Sequence, residues 1–197
     1  MTRGVPIPEV REQLFAAADR ALARDGAAGL TTRAVTAEAG VANGVLHRHF
    51  RDLDDFLASF TASRLQAIAD GAAALPGRAG QGSVTANLTD ATVAVFGPDA
   101  QALMSLVAAK PELGLTLEHA TDGAGGLGDI ERHFAAYLDA EKKLGRIGPG
   151  ADTEMLAFTL LGTVHHLVIS RRSDTPDLRR QVQRIVAALA GGMDAAG

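Results

Sequence analysis

The chain has 197 residues, enough for one large domain or two small ones with a real core. It carries 19 Lys and Arg against 23 Asp and Glu, a formal net charge of -4, which argues against a strongly basic protein that coats nucleic acid. The lack of cysteine excludes disulfide scaffolds, thiolate zinc sites and cysteine nucleophiles, and 47% hydrophobic against 21% charged residues is a globular balance.

Apolar residues recur at three- and four-residue spacing, which predicts an all-α chain of about nine helices without strands. Val10, Leu14, Phe15, Ala18 and Leu22 form the first stripe, which Pro8 opens and Asp25-Gly26 ends. Thr31 is a good N-cap for a short second helix that Gly40 stops. A third helix runs from about Asn43 to Phe50. Asp52 can cap a fourth, whose stripe is Leu53, Phe56, Leu57, Phe60 and Ile68. The segment 75–82, LPGRAGQG, reads as a loop. Two stripes follow, one ending before Gly97-Pro98 and one before Lys110-Pro111. Ile130 to Leu144, Met155 to Ser170 and Leu178 to Leu189 complete the set.

No targeting or spanning segment is expected. MTRGVPIPEVREQ lacks the apolar run of a signal peptide. Met155 to Ser170, the most apolar stretch, is shorter than the roughly 20 residues a bilayer requires and contains His165 and His166. It reads as a buried helix of a cytoplasmic protein.

Charge divides unevenly along the chain. Residues 1–51 hold seven arginines against five acids, or +2, while 52–197 hold twelve bases against eighteen acids, or -6. Within the first part, TTRAVTAEAG-VAN-GVLHRHF describes two short helices joined by a tight glycine turn. The second of them exposes Asn43, His47, Arg48 and His49, donors that a major groove can accept. A plain helical hairpin fits the same pattern.

At these residues the chain resembles the TetR (tetracycline-repressor-like) family of regulators. The resemblance runs from the first stripe through GLTTR at 29–33 and EAGVANGVLHRHF at 38–50 to the helix opening at Asp52. It implies an N-terminal three-helix DNA-binding domain at 1–51, and a helical effector-binding and dimerisation domain at 52–197. It also implies a homodimer. Position by position, it implies that Thr31 and Thr32 cap the second helix and touch phosphate, and that Arg33 reaches a base edge. Asn43 and Gly44 would open the recognition helix, with Arg48 and His49 reaching base or phosphate. Two positions depart from the family pattern: His47 replaces a tyrosine that contacts phosphate, and Leu53 replaces a lysine. Asp52, Asp54 and Asp55 beside Leu53 repel phosphate, so few phosphate contacts and a shallow salt dependence are expected.

The helix at about Asp152–Arg171 is apolar almost all round, so it should bury one face in its own domain and one against a partner subunit. With the last helix it could form a four-helix interface across a two-fold axis; a central helix of a monomer is the alternative. His165 and His166 point about 100° apart on a helix, which suits packing, or one hydrogen bond in an effector pocket, better than a shared metal ion. Phe96, Leu103, Met104, Val107, Leu115, Phe134, Tyr137, Leu138, Phe158, Leu161 and His165 are the candidates to line that pocket. Each is equally a core residue. With no Trp and one Tyr, a small or flexible apolar ligand is favoured over a flat stacking one. GAGGLG at 123–128 fits a dinucleotide pattern, but no strand runs into it, so it reads as a flexible connection.

No nucleophile–base pair, P-loop or metal-ligand cluster is recognisable, and neither a catalytic role nor a cofactor is expected. The expected function is a ligand-responsive DNA-binding regulator, a homodimeric repressor released from a palindromic operator by a small molecule. The alternatives are a helical partner- or ligand-binding protein with reduced DNA affinity, and a helical enzyme.

Overall fold

The computed structural model describes residues 7–114, 126–170 and 177–194, and it is all-α. Nine α-helices lie wholly within the described residues: α1 (Ile7–Asp25), α2 (Thr32–Glu38), α3 (Gly44–His49), α4 (Leu53–Ala73), α5 (Val84–Phe96), α6 (Pro98–Ala109), α7 (Leu127–Lys143), α8 (Thr153–Ile169) and α9 (Leu178–Asp194). Short 3-10 turns stand at Ala27–Gly29 and Leu75–Arg78, so the expected loop at 75–82 begins with one helical turn. Leu115 and the first half of the glycine run, residues 123–125, lie outside the described residues. The chain divides into two compact units, Met1–Arg64 with Gln101–Asp122, and Leu65–Ala100 with Gly123–Gly197.

The first unit is built on the inner face of α1. Leu14, Ala17, Ala18 and Ala21 are fully buried there, and the three alanines leave room for α2 to pack closely. The Thr31 hydroxyl accepts from the Ala34 amide at 3.1 Å and so caps α2. Gly40 ends α2 at φ 69°, a left-handed conformation that a side chain would strain. The Val41 amide then closes back on the Thr36 carbonyl at 2.9 Å.

α3 has six residues, too few to be stable alone, so its position comes from packing. Leu46 is fully buried, and Phe50 closes the helix at 3% exposure. Phe15 lies 5.7–5.9 Å, ring centre to ring centre, from Phe50, Phe56 and Phe60. Phe50 and Phe56 meet edge to face at 5.0 Å. Polar groups on α1 hold both ends of the hairpin. Gln13 Nε2 donates to the Ala39 carbonyl at 2.8 Å before the turn. Arg11 lies 4.3 Å from the Phe50 ring centre and donates to the His49 carbonyl at 3.3 Å. Arg64 on α4 is held by Asp19 and Glu12, both at 2.8 Å. Later in the chain, Lys110 beyond α6 pairs with Asp54 on the first turn of α4 at 2.8 Å.

The second unit packs α5 on α9 and α7 on α8. Leu75, Leu88, Phe96, Phe134, Tyr137, Leu138, Leu160, Leu161, Val164, Val182 and Val186 form its core. Ser83 caps α5 through the Ala86 amide at 3.0 Å, and Asp152 caps α8 through the Met155 amide at 3.0 Å. A Cβ at Gly97 would lie 2.7 Å from the Val93 carbonyl oxygen, so the change of direction from α5 to α6 requires glycine. Taken through that break, Val84–Ala109 is long and apolar enough to cross a membrane by length and composition alone. Leu88, Val95 and Phe96 of this stretch are buried in the protein core.

One buried polar network runs through this core. Asn87 donates to the Tyr137 hydroxyl at 3.0 Å and to the Gln81 carbonyl at 2.7 Å. Burial, together with the nearby Glu141 carboxylate, pushes the Tyr137 pKa up to about 12, against the opposing Asn87 bond. Arg146 lies 3.4 Å from Glu141 and the Gly80 amide donates to it, so the network ties the 80–82 turn to the end of α7.

The aromatic cluster carries a stability prediction. Phe15→Ala should destabilise the first unit by about 3–5 kcal/mol, the usual cost of emptying a buried phenylalanine site. Phe158→Ala, at a site 56% exposed in the single chain, should leave that transition in place. Urea unfolding followed by circular dichroism checks both.

Candidate nucleic-acid interface

α2 and α3 present most of the expected DNA-contact residues together on the first unit. Thr31, Arg33, Asn43, Gly44, His47 and Arg48 are exposed, and Thr32 and His49 are half-buried. Asn43 and His47 are four residues apart, as are Gly44 and Arg48, so each pair shares a face of the short helix. A Cβ on Gly44 would meet nothing within 4 Å, which marks an open surface at the start of α3.

The residue types on this face are donors at different reaches. Arginine can grip two acceptors of a guanine edge, asparagine offers both donor and acceptor, and histidine offers an N–H. The His49 side chain is partly covered, and its carbonyl is tied to Arg11, so it is the least available of the set. Asn43 makes no cap bond to the helix it opens. Its Oδ1 instead stands 2.5 Å from the hydroxyl of Thr36, a fully buried residue on α2.

The family model for bacterial regulatory proteins, tetR family, matches residues 14–60, from the α1 stripe through α2 and α3 into α4. Residues 14–60 are therefore similar to the N-terminal part of that family. The whole chain shares its fold with solved TetR-type structures. One is a candidate TetR-family transcriptional regulator from Mesorhizobium loti, 17% identical, with a TM-score of 0.70 over 95% of this chain and 98% of that one. Another is SmeT, the repressor of the Stenotrophomonas maltophilia multidrug efflux pump SmeDEF, 19% identical, with a TM-score of 0.63 over 92% and 89%. A third is FadR from Bacillus subtilis in complex with stearoyl-CoA, 17% identical, with a TM-score of 0.63 over 92% and 98%. No curated protein matches the chain.

Within the TetR-type head, most of the positive charge is already engaged. Arg20 and Arg24 share Glu38 at 2.7 Å each, and Arg24 also pairs with Asp25. The two guanidinium groups, Arg20 first, hold the Glu38 carboxyl below the usual carboxylate range. Arg51 pairs with Asp55, whose carboxyl is lowered first by the Arg51 amide and then by its guanidinium. Arg11 lies over Phe50, and Arg3 is outside the described residues. Among the described residues of the head, Arg33 and Arg48 are the arginines without a hydrogen bond or ion pair, and both belong to the expected contact set.

The effector candidates fall into different surroundings. In the first unit, Leu103 is buried, and Met104 and Val107 are half-buried. In the second unit, Phe96, Phe134, Tyr137, Leu138 and Leu161 share one core at 0–3% exposure. His165 packs its ring 6.1 Å from that of Phe96. Phe158 stands apart, 56% exposed on the outer side of α8. Among the described residues, no group of three or more His, Asp or Glu side chains could hold a metal ion.

Sequence reasoning missed Thr36, Gln13 and Arg11. Thr36 left a trace, as a polar residue within the buried stripe of α2 beside Val35. Arg11 and Gln13 looked like ordinary residues of a solvated face.

The charge pattern sets the salt dependence of DNA binding. Two available arginines per chain would give four if two chains bind together, so log K against log salt should then slope at about -4, from roughly -0.9 per neutralised phosphate. Arg48→Ala should flatten the slope by about 2, because a dimer loses two contacts. Arg20→Ala should leave it unchanged. Fluorescence anisotropy across a salt series separates these outcomes.

Proposed function

We propose that this protein is a ligand-responsive, DNA-binding transcriptional regulator: a homodimeric repressor released from a palindromic operator by a small molecule. The observation that carries the reading is the placement of Arg33, Asn43, His47 and Arg48 on one exposed helix pair clamped to α1. In functional terms, residues 1–51 are the DNA-reading head and 52–197 the effector-binding and dimerising body. Two heads on a two-fold axis would enter successive major grooves about 34 Å apart, which calls for an inverted repeat. The reading places the protein in the cytoplasm, with neither a catalytic role nor a membrane partner.

The last two helices are the proposed dimer surface. Met155, Phe158, Gly162, His166 and Ile169 form an exposed seam along α8. Gly162 lies at its centre, with Phe158 and His166 four residues to either side and Met155 and Ile169 seven. An antiparallel α8 from a second copy would therefore set Phe158 on His166 and Met155 on Ile169, with the glycines at the closest approach. The exposed residues Arg180 and Arg184 of α9 flank this surface.

For the effector, the FadR relative with bound stearoyl-CoA and the repressor SmeT support a ligand-responsive body. The apolar core around Phe96, Phe134 and Leu161 suits a small or flexible apolar molecule. Within the first unit, the Lys110–Asp54 ion pair joins the segment after α6 to the start of α4. An effector that moves α6 would therefore bias the head, and a preference for one state over the other is all that release requires. A second reading, a partner-binding protein with reduced DNA affinity, is favoured by Asp52 and Asp54 at the start of α4, beside a head with few free cations.

The test is a gel shift with the intergenic DNA beside the protein's own gene. An inverted-repeat duplex should be retarded by two chains per duplex. Phe158→Glu should yield monomers in sedimentation and lower the apparent affinity at least tenfold. A wild-type protein that shifts no inverted repeat would favour the partner-binding reading.

A further inference from the structure

We propose that Thr36 holds the side-chain oxygen of Asn43, so that Asn43 meets DNA as a hydrogen-bond donor only. Thr36 is then a positioning residue that sets which groups the first turn of the recognition helix can read. The inference rests on the DNA-binding reading above and concerns the chemistry of that same site.

Three oxygens surround the Thr36 hydroxyl: the Thr32 carbonyl at 2.7 Å, the Arg33 carbonyl at 3.3 Å and Asn43 Oδ1 at 2.5 Å. A hydroxyl has one hydrogen to give. If that hydrogen went to Thr32, two oxygens would face each other, lone pair to lone pair, at 2.5 Å. Turning the Asn43 amide over would replace that clash with an N–H···O contact of 2.5 Å, shorter than the usual range of about 2.7–3.2 Å. An O–H···O bond accepts about 2.5–3.0 Å, so the hydrogen belongs to Asn43. The Thr32 carbonyl already serves the backbone ladder of α2. Thr36 is fully buried, so water offers its hydroxyl no other partner.

The consequence falls on specificity. Asparagine reads adenine by accepting from N6 with Oδ1 while donating to N7 with Nδ2. Here Oδ1 is turned toward the buried Thr36 hydroxyl, and the two Nδ2 hydrogens remain at the exposed start of α3. They suit partners that only accept: the N7 and O6 edge of guanine, or a phosphate oxygen. The residue that most commonly reads adenine is thereby turned away from it.

Selection of randomised duplexes by the full-length protein tests this, with wild type, Thr36→Ser, Thr36→Val and Asn43→Ala in parallel. Wild type and Thr36→Ser should share one profile, with no adenine preference that depends on Asn43. Loss of a guanine preference in Asn43→Ala identifies the base edge as the partner; a uniform loss of affinity identifies phosphate. Thr36→Val frees Oδ1 and should enrich adenine roughly tenfold at one step per half-site, the scale of a bidentate contact. An unchanged profile in Thr36→Val, or an Asn43-dependent adenine preference in wild type, overturns the proposal while leaving DNA binding intact. A wild type that enriches no sequence overturns the DNA-binding reading and this inference with it. Should Thr36→Val melt below wild type, the Thr36 hydroxyl proton resonance of the free protein decides. It should move upfield in Asn43→Ala, and an unmoved resonance contradicts the lock.

Discussion

A six-residue helix such as α3 cannot hold its own shape, and the proposed DNA-reading surface depends on what holds it. That support is the aromatic cluster around Phe15, with Phe50, Phe56 and Phe60 packed against it. The sequence has seven phenylalanines and no tryptophan, and four of the seven are in this cluster. Arg11 adds a cation over Phe50 and a bond to the last carbonyl of α3, while Gln13 fixes the carbonyl before the turn. One helix, α1, therefore determines where both ends of the hairpin lie. Orientation supplied by rigid neighbours in this way is what a sequence-reading surface needs, because base-edge contacts are directional.

The same economy governs charge. A head of +2 looked weakly basic, but its net charge was the wrong quantity. Glu38 occupies two arginines, Asp55 a third, and a phenyl ring a fourth. Arg33 and Arg48, both on the exposed hairpin, keep their charge for a partner. Such a surface gains little affinity from the phosphate backbone and must rely more on hydrogen bonds of correct geometry. That places more weight on groups such as Asn43, whose side-chain oxygen stands against a buried neighbour.

Much of the fold was legible in the sequence because its signals are local. The Thr31 and Asp152 caps, the turn at Gly40 and the break at Gly97-Pro98 stand where helix chemistry puts them. The family was legible for the same reason, since residues 14–60 carry its order and spacing. Pairings were not legible. Glu38 meets partners 18 and 14 residues away, and Thr36 meets Asn43 across the turn, so neither contact follows from helical period. Periodicity also shows which positions are apolar without showing what covers them. Phe134 and Phe158 look alike in the sequence, yet one is fully buried and the other is 56% exposed.

We propose that DNA is read by the hairpin which α1 clamps. Titrating ¹⁵N-labelled full-length protein with the operator duplex tests it most directly. Amide shifts should concentrate at residues 31–33 and 43–49, with α1 responding weakly through Arg11 and Gln13. Shifts spread over α7 to α9 instead, with the hairpin amides unmoved, would contradict it.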